Sequence, residues 1–301
     1  MRGSAGRDAT WVLPELGNQS AMAVLVALAQ RLGRRRLSRL IWPVSLYYLL
    51  THRTARRGSR AYLRRVFGRS PTWIESLRHI QAFALVILDR VYFLGKPNAA
   101  PLTRVSGGKA ILDALSEGRG CILIGAHIGS FEALRAVGRD VRIRMRILMY
   151  RAIVGGATRR LEALDPGYED AIIPIGEPDT MLRVAEALRR NEVVGMLGDR
   201  APDIGRYLQR ELLGGAVDLP EGPLRLAAVT GAPVVLFRAL RLRDGTYDVR
   251  FEPLGISPDT VTPRRAFVDA GLDRYVAWME NLCRRNPFSW FNFYDFWKEL
   301  P

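Results

Sequence analysis

Two residues that could perform acid–base chemistry, His127 and Glu132, follow an apolar segment of strand length at residues 121–126. On one continuous α-helix, side chains five residues apart point about 140° away from each other, so a shared site requires a strand-to-helix corner. Gly129 and Ser130 favour such a corner, with Ser130 as the expected N-cap and Glu132 in the first helical turn. A carboxylate beside an imidazole fixes its tautomer and stabilises the imidazolium. The pair therefore predicts a general base acting on a hydroxyl or amine. The alternative is a strand-end histidine with purely structural partners.

Two further groups of residues lie where chemistry is expected. Asp199 and Arg200 follow an apolar strand segment, residues 192–197, and α/β folds gather ligand groups at the carboxyl ends of strands. The alternative is an ion pair that closes a turn. Glu221 lies in a Pro-Glu-Gly-Pro segment, which is also the pattern of a turn with proline at the first helical position.

The elements that must position these residues alternate along the second part of the chain. Strand-like and helix-like segments alternate from about residue 103, which predicts an α/β sandwich. A turn at Asp244 and Gly245 predicts a hairpin, and therefore a mixed sheet. The predicted strands are 121–126, 144–150, 171–175, 192–197, 234–242 and 247–254, and the predicted helices are 108–117, 131–137, 158–164, 179–190, 222–230 and 263–285.

Residues 1–100 are expected to form an N-terminal helical, membrane-facing segment, and residues 101–301 the α/β core, the two forming one compact unit. Helices are predicted at 20–32, 59–67 and 73–94. Residues 40–50 are apolar all round, contain Trp42 and Tyr47, and have arginine clusters on both sides, a composition typical of a helix in a membrane interface. The alternative is a helical layer packed on the core. His79, alone on a predicted helix, is expected to be structural.

The composition narrows the classes of function. The net charge is +15, which favours an acidic partner, and no nucleic-acid-binding motif accompanies it. An anionic membrane surface is therefore the preferred partner. Cys121 and Cys283 are expected to be free core thiols, and three histidines are too few for a histidine-rich metal site. The segment 1–20 lacks the apolar core of a secretory signal, and no apolar stretch is long enough to span a bilayer, so a cytoplasmic, at most peripheral protein is expected.

The His127–Glu132 pair resembles the His-x4-acid motif of the glycerolipid and late lipid A acyltransferases, in its glutamate variant. In the late lipid A enzymes an aspartate that follows a similar strand, well beyond the histidine, belongs to the site, and Asp199 follows His127 at a matching separation. The Pro220-Glu221-Gly222 block resembles the phosphate- or acceptor-binding block of the glycerolipid enzymes. The three blocks occur in the family's order, which is more specific than any one of them.

The end of the chain resembles a particular branch of this superfamily, the predicted acyltransferases associated with aryl polyene-type lipids. The aromatic segment 286–297 carries this resemblance, together with N-terminal residues that include Tyr62 and the Asp89–Arg90 pair. An aromatic cluster of this kind could line an acyl channel or lie in a membrane interface, and the alternative is a C-terminal segment docked on the core. No N-terminal membrane anchor is visible, unlike in the lipid A enzymes, so lipid A is not the expected acceptor.

The resemblance implies a bacterial acyltransferase with a glycerolipid acyltransferase-like fold, peripheral on the cytoplasmic face of the inner membrane. It would move a fatty or polyene acyl chain from acyl carrier protein or coenzyme A to a hydroxyl or amine of a lipid acceptor, without a metal or other cofactor. His127 would deprotonate the acceptor, Glu132 would orient the imidazole, and the helix start after Ser130 would stabilise the oxyanion. Asp199 and Arg200 would position the acceptor or the donor's phosphopantetheine, supported by Glu221. Two other classes stay open: a thioesterase or lipid hydrolase, and a noncatalytic basic protein that binds membrane or nucleic acid.

Overall fold

The computed structural model describes residues 19–140, 143–151, 154–200 and 206–297. The segment 1–18, which bears on the expected absence of a secretory signal, lies outside this description. The helices are α1 Gln19–Leu32, α2 Arg34–Thr51, α3 Arg53–Phe67, α4 Trp73–Gly95, α5 Lys109–Ser116, α6 Phe131–Asp140, α7 Gly156–Glu162, α8 Thr180–Arg189, α9 Gly222–Thr230 and α10 Arg264–Arg285. The strands are β1 Thr103–Ser106, β2 Cys121–Gly125, β3 Met145–Met149, β4 Ile172–Pro174, β5 Val193–Leu197, β6 Tyr207–Leu212, β7 Gly215–Pro220, β8 Val234–Arg241 and β9 Tyr247–Pro253.

In the described part of the chain, the helices α1 to α4 precede the first strand. The helix α4 begins at a capping box, in which the Thr72 hydroxyl accepts from the Glu75 N–H and the Glu75 carboxylate accepts from the Thr72 N–H. The helices predicted at 20–32, 59–67 and 73–94 are confirmed, and residues 40–50 lie within α2. No helix in the described ranges is both long and apolar enough to cross a membrane.

The chain has an α/β fold built on a mixed seven-stranded sheet flanked by helices, as predicted. The strand order is β1-β9-β8-β2-β5-β3-β4. Among the described strands of this sheet, only the β8–β9 pair is antiparallel, and it is the hairpin predicted from Asp244 and Gly245. The carboxyl ends of β8, β2, β5, β3 and β4 therefore lie at one edge of the sheet.

The central strand β2 is buried on both faces because helices cover both sides of the sheet. Alternate side chains of a strand point to opposite faces. Ile122 and Ile124 join a core with residues of α3, α9 and α10, whereas Cys121 and Leu123 join a second core with residues of α5 and α6. This double burial explains why β2 reads as a continuous apolar segment.

Three strands, β1, β6 and β7, were not predicted from the sequence. β1 is a short, largely exposed edge strand, and β6 and β7 form a separate two-stranded hairpin. Polar residues interrupt all three strands, so none gives the apolar segment that identifies the buried strands. The helix predicted at 158–164 begins and ends slightly earlier, at Gly156–Glu162. The division at residue 100 into a membrane-facing segment and a core stays a prediction.

Candidate active site

The register of the sheet brings His127 and Asp199 together. β2 and β5 are parallel neighbours, and Gly125 pairs with Leu197. Each of the two polar residues lies two positions beyond its strand, so the register that aligns the strands also aligns these side chains. The His127 Nδ1 atom lies 2.7 Å from Asp199 Oδ1, and the His127 backbone N–H donates to the same oxygen over 3.2 Å.

This contact defines the state of the imidazole. An ionised carboxylate only accepts hydrogen bonds, so Nδ1 of His127 carries the proton and donates it to Asp199. Nε2 of the neutral ring then holds the lone pair, and within the described parts of the chain it makes no hydrogen bond. The side chain keeps 37% of its surface exposed, whereas Asp199 is fully buried. The geometry is that of an oriented general base.

Charges around the pair favour a neutral imidazole beside an ionised carboxylate. Withdrawal from solvent lowers the pKa of His127, and the positive charge of Arg200 lowers it further, against the opposing attraction of Asp199. Burial acts to raise the pKa of Asp199. The attraction of His127 and Arg200, and hydrogen bonds from His127 and Trp290, outweigh burial and hold that pKa well below its ordinary range. His127 is therefore a base that stays unprotonated at neutral pH.

The predicted pairing of His127 with Glu132 is wrong in this structure. Ser130 does cap α6, because its hydroxyl accepts from the Ala133 N–H over 3.3 Å, and Glu132 does lie in the first turn. That turn directs the Glu132 carboxylate toward α4, where it lies 2.5 Å from the guanidinium of Arg90. Asp199, not Glu132, is the hydrogen-bond partner of Nδ1 of His127.

Glu132 belongs instead to a buried ion cluster. Arg90 also lies 3.8 Å from Glu162, and Glu162 pairs with Arg151. The Glu132 and Glu162 side chains are 7% and 2% exposed, so each carboxylate compensates a charge that is largely withdrawn from solvent. The cluster ties α4, α6 and α7 together behind the loop that carries His127.

The loop between β2 and α6 is fixed by backbone contacts that only glycine permits. Gly129 has φ +84°, and a Cβ there would lie 1.9 Å from the Ala239 carbonyl oxygen. The N–H groups of Gly129 and Ser130 donate to the carbonyls of Ser289 and Ala239. The N–H groups of Gly129, Ser130 and Ala133 are thus already satisfied, and the expected role of this helix start as an oxyanion site stays a prediction.

Arg200 and Glu221 occupy different surroundings. Arg200 lies 3.5 Å from Asp199 Oδ2 and donates to the Phe291 carbonyl over 3.3 Å, so it belongs to the dyad's surroundings. Glu221 is buried at the start of α9 and pairs with Arg225 and Arg265 at 3.5 and 3.4 Å. Within the described ranges it makes no hydrogen bond or ion pair with His127, Asp199 or Arg200. The structure therefore brings together His127, Asp199 and Arg200, but not Glu221.

The aromatic C-terminal segment 288–297 completes the surroundings of the dyad. The Phe291 N–H donates to the His127 carbonyl over 2.9 Å, and the Trp290 indole N–H donates to Asp199 Oδ2 over 3.1 Å. Two buried polar groups here have no hydrogen-bond partner among the described residues: Nε of Arg200 and the carboxamide of Asn292. The aromatic richness of this segment is evident in the sequence, but the contact between Trp290 and Asp199 is not.

Cys121 and Cys283 are free and buried, which confirms the prediction that both are core thiols. Burial raises the pKa of Cys121 and of Cys283 to about 12, so neither is a nucleophile at neutral pH. Among the described residues no three histidine, cysteine or acidic side chains are arranged to hold a metal ion. A comparison of the chain with models of protein families and a comparison with curated proteins both find no match.

Proposed function

We propose that the protein is an acyltransferase that moves a fatty or polyene acyl group from a thioester donor to a hydroxyl or amine of a lipid acceptor. The observation that carries the proposal is the His127–Asp199 pair, a solvent-accessible base at the carboxyl edge of the α/β sheet. The resemblance of three sequence blocks to the glycerolipid and late lipid A acyltransferases, and to the aryl polyene-associated branch, supports the choice of reaction. On this proposal the fold is of the glycerolipid acyltransferase type.

In the proposed mechanism, Nε2 of His127 removes the acceptor proton as the acceptor oxygen or nitrogen attacks the thioester carbonyl. Asp199 holds the ring through Nδ1 and stabilises the imidazolium that forms. Collapse of the tetrahedral intermediate breaks the carbon–sulfur bond, and the departing thiolate receives the proton from His127. No acyl-enzyme is required, which agrees with the inert state of both cysteines.

The donor and acceptor would meet polar groups beside the dyad. Arg200 lies beside Asp199 with its side chain 18% exposed, so its guanidinium is the candidate to contact a polar substrate. The amide-containing pantetheine arm of acyl carrier protein or coenzyme A offers both donors and acceptors. Arg200 is proposed to position the substrate, as predicted. Glu221 is proposed only to hold the start of α9 in place, through its pairs with Arg225 and Arg265.

The function is tested with purified protein, acyl carrier protein or coenzyme A carrying labelled acyl chains, and a total bacterial lipid extract. Mass spectrometry of the lipids is expected to show a new acylated product. Free fatty acid without an acylated lipid would identify a thioesterase instead. The absence of turnover with both donors would contradict the proposal and favour a binding protein.

The rate of the reaction is expected to depend on the ionisation of His127. Only the neutral imidazole accepts a proton, so kcat/KM should rise with pH through the pKa of His127. Because partial withdrawal from solvent and the charge of Arg200 lower that pKa, the midpoint of this acidic limb is expected below 6.5, the ordinary value for histidine. Replacing Arg200 by methionine should move the midpoint to higher pH. A wild-type midpoint above 7 would contradict the assigned environment.

The proposed place of action is an anionic membrane surface, on the cytoplasmic face of the inner membrane. Residues 16–74 contain twelve arginines and no acidic residue, so this stretch carries +12 of the net charge of +15. On α2 one face is buried, and the remaining surface of the helix exposes large apolar side chains: Leu40, Trp42, Val44, Tyr47 and Leu50. An apolar face with arginines around it is typical of a helix in a membrane interface.

Vesicle binding tests this surface. Wild-type protein is expected to sediment with vesicles containing phosphatidylglycerol, less so at high salt, and weakly with neutral vesicles. Replacing Trp42 and Leu50 by serine should weaken binding about tenfold, since two exposed apolar side chains no longer insert. Leu112 is similarly exposed, at 61%, but lies on α5, so its replacement by serine is the matched control. Equal binding by all three proteins would exclude α2 as the contact surface.

A further inference from the structure

Trp290 connects the proposed catalytic pair to the rest of the molecule. It is fully buried, and its indole N–H donates over 3.1 Å to Asp199 Oδ2, which also lies 3.5 Å from the Arg200 guanidinium. That leaves Oδ1 of Asp199 to accept both hydrogen bonds from His127. Trp290 also forms an isolated antiparallel bridge with Ile128, the residue after the histidine. Trp290 thus contacts Asp199 through its indole and the residue after His127 through its backbone. Among the described residues it forms no hydrogen bond with Nε2 of His127, the atom that would act on a substrate.

A second histidine holds Trp290 in place. His79 Nε2 lies 2.8 Å from the Trp290 carbonyl oxygen, which can only accept, so this nitrogen carries the proton. His79 Nδ1 must then accept from the Ser59 hydroxyl, 2.9 Å away. Burial lowers the pKa of His79 to about 4, so the ring is neutral and its donor role is fixed at neutral pH. The rings of Tyr62 and Phe293 pack against it.

We propose that Trp290 is a positioning residue of the dyad: its indole N–H fixes the Asp199 carboxylate against His127, and His79 fixes Trp290. The proposal rests on the proposed function of His127 as a base. The chain of contacts runs from Ser59 on α3 through His79 on α4 to the C-terminal segment and the dyad. Through these hydrogen bonds, α3 and α4 hold Trp290, and Trp290 holds the carboxylate that orients His127.

The indole also sets how strongly Asp199 acts on the imidazole. A donor on Oδ2 shares the negative charge of the carboxylate and reduces its attraction for the proton on His127. Loss of that donor leaves a more basic carboxylate beside the ring and so favours the imidazolium. A purely structural tryptophan would contribute packing without changing the ionisation of His127.

The test is an NMR titration of the imidazole resonances in wild type and Trp290→Phe. The chain has three histidines, so His127→Ala assigns the signal. In Trp290→Phe the pKa of His127 is expected to rise by about half a unit to one unit. The matched control is Trp297→Phe, which loses a buried indole hydrogen bond of 3.1 Å to the Leu212 carbonyl in the same aromatic cluster. The control should leave the His127 titration unchanged.

A folded Trp290→Phe protein whose His127 titrates as in wild type would overturn the proposal. A measurement on wild type alone removes the dependence on folding of the variant. The Trp290 indole N–H resonance is expected to shift as His127 titrates, while that of Trp297 does not. An insensitive Trp290 resonance would equally overturn the proposal. Neither readout requires turnover, so failure of the positioning role is distinguishable from failure of the acyltransferase assay.

The link through His79 is tested separately. His79→Phe fills the space but removes the donor to the Trp290 carbonyl, and it should move the His127 titration in the same direction as Trp290→Phe. His79→Gln can supply an N–H to the carbonyl and accept from Ser59, so it should restore the wild-type titration. Identical His127 titrations in wild type and a folded His79→Phe protein would remove His79 from the proposal.

Discussion

Replacing His127 by alanine is expected to reduce acyl transfer by about 10²–10⁴-fold, the usual contribution of a positioned general base. The variant keeps the strand and the loop, since the imidazole is 37% exposed and its backbone contacts do not depend on the ring. Binding of the donor should change little, so the loss should appear in kcat. The measurement is steady-state formation of the acylated lipid with acyl carrier protein as donor.

Two carboxylate variants show which residue is the partner of the base. Asp199→Asn keeps the shape of the side chain but removes the charge that orients and stabilises the imidazolium, and its loss of kcat should approach that of His127→Ala. Glu132→Gln removes a partner of Arg90, so it should lower stability more than the chemical step. The reverse ranking, with Glu132→Gln more damaging to kcat than Asp199→Asn, would restore Glu132 as the orienting acid.

Replacing Asp89 by asparagine is expected to lower the free energy of unfolding by about 3 kcal/mol. Asp89 is fully buried on α4, and its carboxylate accepts from Arg34 at 2.6 Å, from Arg241 at 2.7 Å and from the Tyr247 hydroxyl at 3.1 Å. The substitution leaves the guanidinium groups of Arg34 and Arg241, whose side chains are 22% and 17% exposed, without their buried counter-charge. Their partial exposure places the loss at the lower end of the range for broken buried pairs.

Chemical denaturation measures this effect. The matched control is Asp259→Asn, whose carboxylate pairs with Arg119 at 2.8 Å but is 55% exposed, and which should cost less than about 1 kcal/mol. Because Asp89 connects α2 and α4 to β8 and β9, its loss should lower the midpoint for the whole transition. Equal destabilisation by the two variants would show that the buried ion pairs of Asp89 stabilise the fold no more than the exposed ion pair of Asp259.

The sequence alone predicted the elements well but not the partner of the histidine. The segments predicted as strands at 121–126 and 192–197 contain β2, Cys121–Gly125, and β5, Val193–Leu197. Both strands are covered on both faces and therefore apolar, a pattern that the sequence shows directly. The contact between His127 and Asp199 depends on the register of two strands that are far apart in the chain. No local pattern encodes that register. The spacing of the two residues in the acyltransferase resemblance was the one available signal.

The direction of Glu132 could not be read from its spacing either. Its helix begins at Phe131 after the Ser130 cap, as predicted, but which neighbour lies opposite its first turn depends on the packing of α4 against α6. Arg90 is the residue that α4 presents there. In the same way, Trp290 and His79 are 211 residues apart, and the sequence around either residue does not predict their contact. Exposed or interrupted strands such as β1 and β6 were missed because apolar patterning reports burial rather than pairing.

Residues 288–297, which contact the His127 loop, are among the last parts of the chain to be synthesised. Residues 121–200 contain both members of the dyad, but Trp290 is synthesised 91 residues after Asp199 and 211 residues after His79. Contacts of such long sequence separation form slowly, since the loops they close must be ordered first. A nascent chain can therefore fold its central strands while its base is still unsupported on one side. The contacts of Trp290 with Asp199 and of Phe291 with His127 are therefore expected to form late in biosynthesis, after most of the hydrophobic core has been assembled.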